Sequence, residues 1–166
     1  MKTINKYIVI SILSLFFVSS LVSCDETEDA DAGGTETEAM AGDWYVQTFV
    51  GDNLVLDYQL MSTYNTAANN QSEIWVDDHH HIWDFKVKTP VNVSALTFSG
   101  SDLESSVDGY DVNVTFTNGT ITKGDTETSG GNMSDGISFD AEFSDDAGTI
   151  YTIKGYKRTG FAEDEH

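Results

Sequence analysis

Three consecutive histidines, His79, His80 and His81, stand among Asp77, Asp78 and Asp84, the densest run of metal-ligand side chains in the chain. If the stretch is extended, alternation puts His79 and His81 on one face, where two imidazoles and a carboxylate suit zinc. The competing reading is a solvated hairpin tip, and under it no metal is held and no cofactor is expected. Ester hydrolysis by a side chain needs a serine or cysteine beside a base. The nearest approach to a nucleophile elbow is Asn132-Met133-Ser134-Asp135-Gly136, which begins with Asn instead of Gly. The imidazoles are confined to one turn and to His166, the last residue, so no catalytic residue is assigned. Carboxylate pairs such as Asp77-Asp78 and Asp145-Asp146 follow from acidic composition alone. The Asp-rich stretch from Asp102 to Asp111 lacks EF-hand spacing for calcium.

Twenty-eight acidic residues against eight basic ones leave a net charge of −20 over 166 residues. A phosphate-binding groove of Lys and Arg is excluded, and with it nucleic acid as a partner. The single cysteine, Cys24, can form neither an intrachain disulfide nor a cysteine zinc site. Its surroundings supply another use. Lys2 and Lys6 precede an apolar run from Ile8 to Val18, too short to span a bilayer comfortably, and Leu21-Val22-Ser23-Cys24 resembles the bacterial lipobox. Residues 1–23 are therefore expected to be a lipoprotein signal peptide, with Cys24 lipidated and holding the chain on a membrane. Residues 24–41, dominated by Asp, Glu, Thr, Ala and Gly, are expected to be a disordered acidic tether. Acids directly after the lipidated cysteine resemble the signal that sends Bacteroidota lipoproteins to the cell surface. The expected location is thus the outer membrane, facing outwards, with a periplasm-facing anchor as the alternative.

From Trp44 onward, short alternating runs separated by Gly, Asn and Asp predict an all-β domain over 42–163. Strands are expected near 43–50, 54–61, 72–77, 80–88, 92–99, 109–117, 119–123, 136–143 and 149–158. Ile137, Phe139, Ala141 and Phe143 share one face, as do Val112, Val114 and Phe116. Hairpin turn chemistry at Gly51-Asp52-Asn53, Thr117-Asn118-Gly119 and Asp145-Asp146-Ala147-Gly148 makes the connections antiparallel. An antiparallel meander of about eight strands removes its edges by closing into a barrel, whose interior is either filled or holds one small ligand. Trp44, Tyr58, Trp83, Phe85, Phe116, Phe139 and Phe143 fall where alternation permits an inward ring. They are the candidate lining of an apolar pocket, or else an ordinary core.

Gly42-Asp43-Trp44 matches the Gly-x-Trp signature of lipocalin-like barrels, in which the Trp plugs the closed end and a late Arg or Lys covers its ring. Gly42, Trp44 and Arg158 are accordingly the expected closure residues, with a cation–π contact of roughly 0.5–2 kcal/mol. A longer likeness is carried by Gly42-Asp43-Trp44-Tyr45-Val46, Thr63-Tyr64-Asn65-Thr66-Ala67, Ile74-Trp75-Val76-Asp77-Asp78, Trp83-Asp84-Phe85-Lys86-Val87-Lys88, Asp135-Gly136-Ile137-Ser138-Phe139 and Gly155 to Phe161. Together these resemble a family of Bacteroidota lipoproteins described as lipid-binding putative hydrolases, with a lipocalin-like (calycin) up-and-down β-barrel. The resemblance implies noncatalytic binding of a small hydrophobic ligand, a lipid or fatty-acid-like molecule, inside the barrel. An accessory surface lipoprotein contacting a protein or glycan through its loops is the second reading, and a lipid hydrolase the third.

Overall fold

Period-two alternation buries one face of each strand, and eight such strands satisfy every edge only by joining the last to the first. The computed structural model describes residues 33–166. Residues 1–32, with the expected signal peptide, Cys24 and the first part of the tether, lie outside the described residues. Among the described residues, β1 (Gly42–Val50), β2 (Asn53–Asn65), β3 (Glu73–Asp77), β4 (Lys86–Asn92), β5 (Thr97–Glu104), β6 (Asn113–Glu127), β7 (Met133–Phe143) and β8 (Tyr151–Lys157) form a closed barrel in chain order. All neighbours are antiparallel, and β1 closes on β8 from Trp44 opposite Lys157 to Val50 opposite Tyr151. The expected all-β up-and-down barrel is present.

Three strand expectations change. The expected strand 92–99 holds the turn 93–96, with β4 ending at Asn92 and β5 starting at Thr97. Residues 80–88 do not form one strand: 78–85 is a loop, and β4 starts at Lys86. The expected strands 109–117 and 119–123 are one strand, β6, and the Asn-Gly between them makes a bulge where Thr117 and Thr120 lose register with β7. Asn118 adopts φ 56°. Gly119 lies against Phe98 so closely that a Cβ there would stand 2.6 Å from that ring. Glycine is required by this approach, not by a hairpin.

The compact unit runs from Thr35 to His166, so its first residue precedes the expected boundary at Gly42. Glu38–Met40 is a 3-10 turn with Met40 fully buried, and Thr63 Oγ1 donates to the Met40 carbonyl at 2.6 Å. A single large apolar side chain in an otherwise polar stretch is enough to order this end of the tether, because it fills the barrel floor beneath Trp44.

The middle of the barrel is a stack of rings. Phe116 meets Phe139 at 5.0 Å, Phe85 at 5.8 Å and Phe98 at 6.1 Å, and Phe85 meets Phe143 at 5.7 Å. All of these rings are buried in the core. Edge-to-face and tilted packing of this kind fills space at crystal-like density.

The chain beyond β8 turns back as a strap along the outside. Asp164 is fully buried and accepts from Thr128 and Thr159 hydroxyls, the Asn132 amide and the Gly130 N–H. Glu165 accepts from Arg158 and from the Tyr45 hydroxyl. His166 stacks on Tyr58 at 4.1 Å and meets the Tyr156 hydroxyl at 2.7 Å. Burial works against ionisation of Asp164, but its hydrogen-bond donors outweigh it and hold the carboxyl below its ordinary range; Arg158, then Tyr45, do the same for Glu165. Both carboxyls are depressed in the folded state, so the stability they add is present above the unfolded value of about 4 and lost as pH falls through the folded values. Acidification from pH 7 towards about 3 should therefore loosen the strap before the barrel. Amide exchange should show 128–132 and 159–165 losing protection first, and uniform loss across the chain would contradict this.

Candidate functional site

In an up-and-down barrel, alternate loops share an end. The loops after β1, β3, β5 and β7 therefore form one rim, and those after β2, β4 and β6 the other. At the first rim the loop 78–85 folds around one side chain. Asp78, 1% exposed, accepts from the backbone N–H groups of His80 and Phe85 on Oδ1 and of Ile82, Trp83 and Asp84 on Oδ2, at 2.7–3.2 Å. These contacts hold the positive φ of His79 (52°), His80 (64°) and Asp84 (66°). Three non-glycine residues in the left-handed region within one loop are costly, and the buried carboxylate offsets that cost.

The product of this loop is the position of Trp83. Its indole lies flat on Phe143, with centroids 4.4 Å apart and planes 3° apart, and meets Tyr151 at 4.9 Å. Its Nε1 donates to Asp145 at 3.1 Å. Tyr110 also donates to Asp145, and Tyr151 donates to Asp146 at 2.6 Å. The Tyr151 phenol is pushed up to about 12, first by that hydrogen bond, then by burial and the acidic charges. Trp83 thus caps the ring stack from a solvent-reachable position.

Of the other expected lining residues, Phe85, Phe116, Phe139 and Phe143 belong to the filled core. Trp44 is buried at the opposite end, its Nε1 donating to Thr63 Oγ1 at 2.9 Å. Tyr58 is not inside the barrel. Between Val46 opposite Gln59 and Thr48 opposite Leu56, three β2 residues face two of β1, and this bulge breaks the alternation. Tyr58 packs with Tyr156 and His166 on the outer wall.

The expected cation over Trp44 is also corrected. Lys157, directly opposite Trp44, places Nζ 6.0 Å from its ring and donates to the Ala41 carbonyl at 2.9 Å. Arg158 is one residue further, so alternation turns it away, and it pairs with Glu165 at 2.6 Å. Gly42 leaves room for the lysine stem, since a Cβ there would meet Lys157 Cε at 2.7 Å.

The histidines tie the loop to the wall. His79 Nε2 lies 2.7 Å from Ser62 Oγ, His80 pairs with Asp84, and His81 Nδ1 reaches the Leu60 carbonyl at 3.3 Å. The rings of His79 and His81 are 6.4 Å apart, and among the described residues no three His, Cys, Asp or Glu side chains converge on a metal position. Ser62, His79 and Asp77 follow the order of a hydrolytic triad, which sequence reading missed because Ser62 is brought to His79 only by β2–β3 pairing. The detail differs from a triad. Ser62 donates to Asp43 at 2.6 Å, and Asp77 Oδ1 is 3.6 Å from His79 Nδ1. The Asp43 carboxylate competes with His79 for the Ser62 proton, and it would repel an oxyanion developing beside it.

The lipid-binding putative hydrolase family model matches residues 29–162, most of the chain and all eight strands. The chain belongs to this family. No curated protein matches it. For this member of the lipid-binding putative hydrolase family, the residues that meet at the Trp83 rim include Asp78, Tyr110, Asp145, Asp146 and Tyr151, none singled out as site residues from sequence. Asp78 before a turn was the one readable signal, since Asp commonly accepts from the backbone N–H groups that follow it.

Proposed function

We propose that this protein is a lipid-anchored envelope protein that binds a small hydrophobic ligand without turning it over, at the rim capped by Trp83. The observation that carries the proposal is the indole lying flat on Phe143 and touching Tyr151 from a loop, outside the packed core. An acyl chain that displaces the indole gains the same aromatic ledge, while the ring stack below stays intact. A buried hydroxyl supports this. Thr48 shares the inward face of Trp44 and Val46, lies one cross-strand step from Ile153 and two residues from the rim, and has no hydrogen-bond partner among the described residues. Thr37, Thr66 and Thr89 are likewise unpartnered there, Thr89 lower in the β4 wall and Thr37 and Thr66 outside the strands. The noncatalytic reading rests on Ser62, whose hydrogen bond to Asp43 makes it a tie for the loop.

The anchor rests on the sequence around Cys24, and the outer membrane, facing outwards, is the proposed location. Native mass spectrometry of the purified protein should show one retained lipid, and 1-dodecanol should change the tryptophan emission saturably, with the change lost in Trp83→Ala. No retained lipid together with no saturable change would sink the binding proposal. Cys24→Ala should move the protein from the membrane to the soluble fraction; unchanged membrane association would overturn the anchor.

A further inference from the structure

The rim that holds Trp83 is acidic. The loops 51–52, 78–85, 105–112 and 144–150 carry Asp52, Asp84, Asp108, Asp111, Asp145 and Asp146 besides the buried Asp78, and no Lys or Arg. The opposite loops, 66–72, 93–96 and 128–132, carry no charged residue of their own, but Glu36 accepts from Gln71 there and Glu163 and Asp164 accept from Asn132, so the opposite end is acidic as well. Lys86, next to the acidic rim in sequence, is held on the outer wall, 3.4 Å from Asp77 and over the rings of Tyr64 and Trp75. The rim histidines are engaged with Ser62, Asp84 and the Leu60 carbonyl. The acidic groups touching the aromatic ledge are therefore not neutralised by a lysine or arginine of the rim: Asp145 accepts from Trp83 and Tyr110, and Asp146 from Tyr151. Burial of a second anion beside them is opposed by every one of these charges, and the low-dielectric ledge strengthens the repulsion.

Resting on the Trp83 reading, we infer that the ligand's polar end is cationic or uncharged, as in a long-chain amine or alcohol, and that fatty-acid carboxylates are excluded. The unpartnered Thr48 hydroxyl, just below the rim, can accept a hydrogen bond from either kind of head group. The specificity is thus set by the rim and the affinity by the ledge. Chain length is read by apolar contact, and charge by the Asp ring.

The test is a matched series of twelve-carbon chains, dodecylammonium, 1-dodecanol and dodecanoate, titrated below their micelle concentrations at about pH 8. Dodecylammonium should bind at one saturable site at least about tenfold more tightly than dodecanoate at low salt, with dodecanol between them. The ratio should shrink at about 0.5 M salt. It should shrink also in Asp108→Asn with Asp111→Asn, a variant that leaves the contacts of Trp83 untouched. Dodecanoate binding as tightly as dodecylammonium would overturn the inference and leave the Trp83 site standing. Failure of all three chains would instead remove the site itself. Unsaturable binding of dodecylammonium with none of dodecanol would mark adhesion to an acidic surface and overturn both.

Discussion

Asp78→Ala should destabilise the protein by roughly 3–5 kcal/mol, the worth of two or three hydrogen bonds to a buried charge after water reaches the rest. Five backbone N–H groups converge on this one carboxylate, while the loop's other carboxylate, Asp84, is paired with His80. Without it the left-handed residues His79, His80 and Asp84 lose what holds them, and Trp83 leaves Phe143. Asp78→Asn is expected to cost less, because an amide oxygen can still serve His80 and Phe85 while the amide nitrogen faces the three donors on the other side. Urea unfolding gives the energies, and the emission of Trp83 in a Trp75→Phe background reports its release. A loss under about 1 kcal/mol for the alanine variant would show that the carboxylate does not organise the loop.

Phe116→Ala should cost about 3–5 kcal/mol, since the ring is fully buried and its neighbours are the rings of Phe85 at the end of the 78–85 loop, Phe98 on β5 and Phe139 on β7. Rings fixed by the sheet cannot collapse into the space, so a dry cavity should remain and bind benzene. The check is a urea titration with and without benzene, where the variant but not the parent gains stability. A cost below about 2 kcal/mol with no benzene effect would mean that the wall closes inwards, and the filled-core account of the barrel would be wrong.

These effects separate the part of the molecule that sets stability from the part proposed to meet a ligand. The ring stack is inaccessible, and its removal is felt as lost packing. The Trp83 loop rests on one carboxylate and on contacts made by three histidines that are themselves half-buried or exposed. Local opening of such a loop costs less than global unfolding, so a ligand can exchange with the indole while the barrel persists. On the proposed reading, His79 and Ser62 tie this loop to the β2 wall.

Alternation along β6 and β7 made Val114, Phe116, Phe139 and Phe143 legible as inward residues, because a strand without a bulge on those positions keeps its parity. The same rule failed at Tyr58, where one extra β2 residue reversed the faces, and at Trp83, where backbone hydrogen bonds to Asp78 replaced a ladder. Asn118-Gly119 read as a hairpin because its residue types permit a left-handed turn, yet the nearby Phe98 made it a bulge. Lys157 rather than Arg158 covers Trp44 because the pairing register, known only once β1 meets β8, decides which of two adjacent cations faces the indole.

The amino-acid order alone determined the all-β class, the antiparallel meander, the inward faces and the family likeness, since each follows from local periodicity, turn chemistry or short motifs. The register in which β1 meets β8, the filling of the interior, the strap ending at His166 and the Asp rim around Trp83 were decided only by the tertiary structure. Each depends on residues distant in the chain, and their meeting is set by strand register and by which side chains fill the remaining volume, quantities to which no local pattern responds.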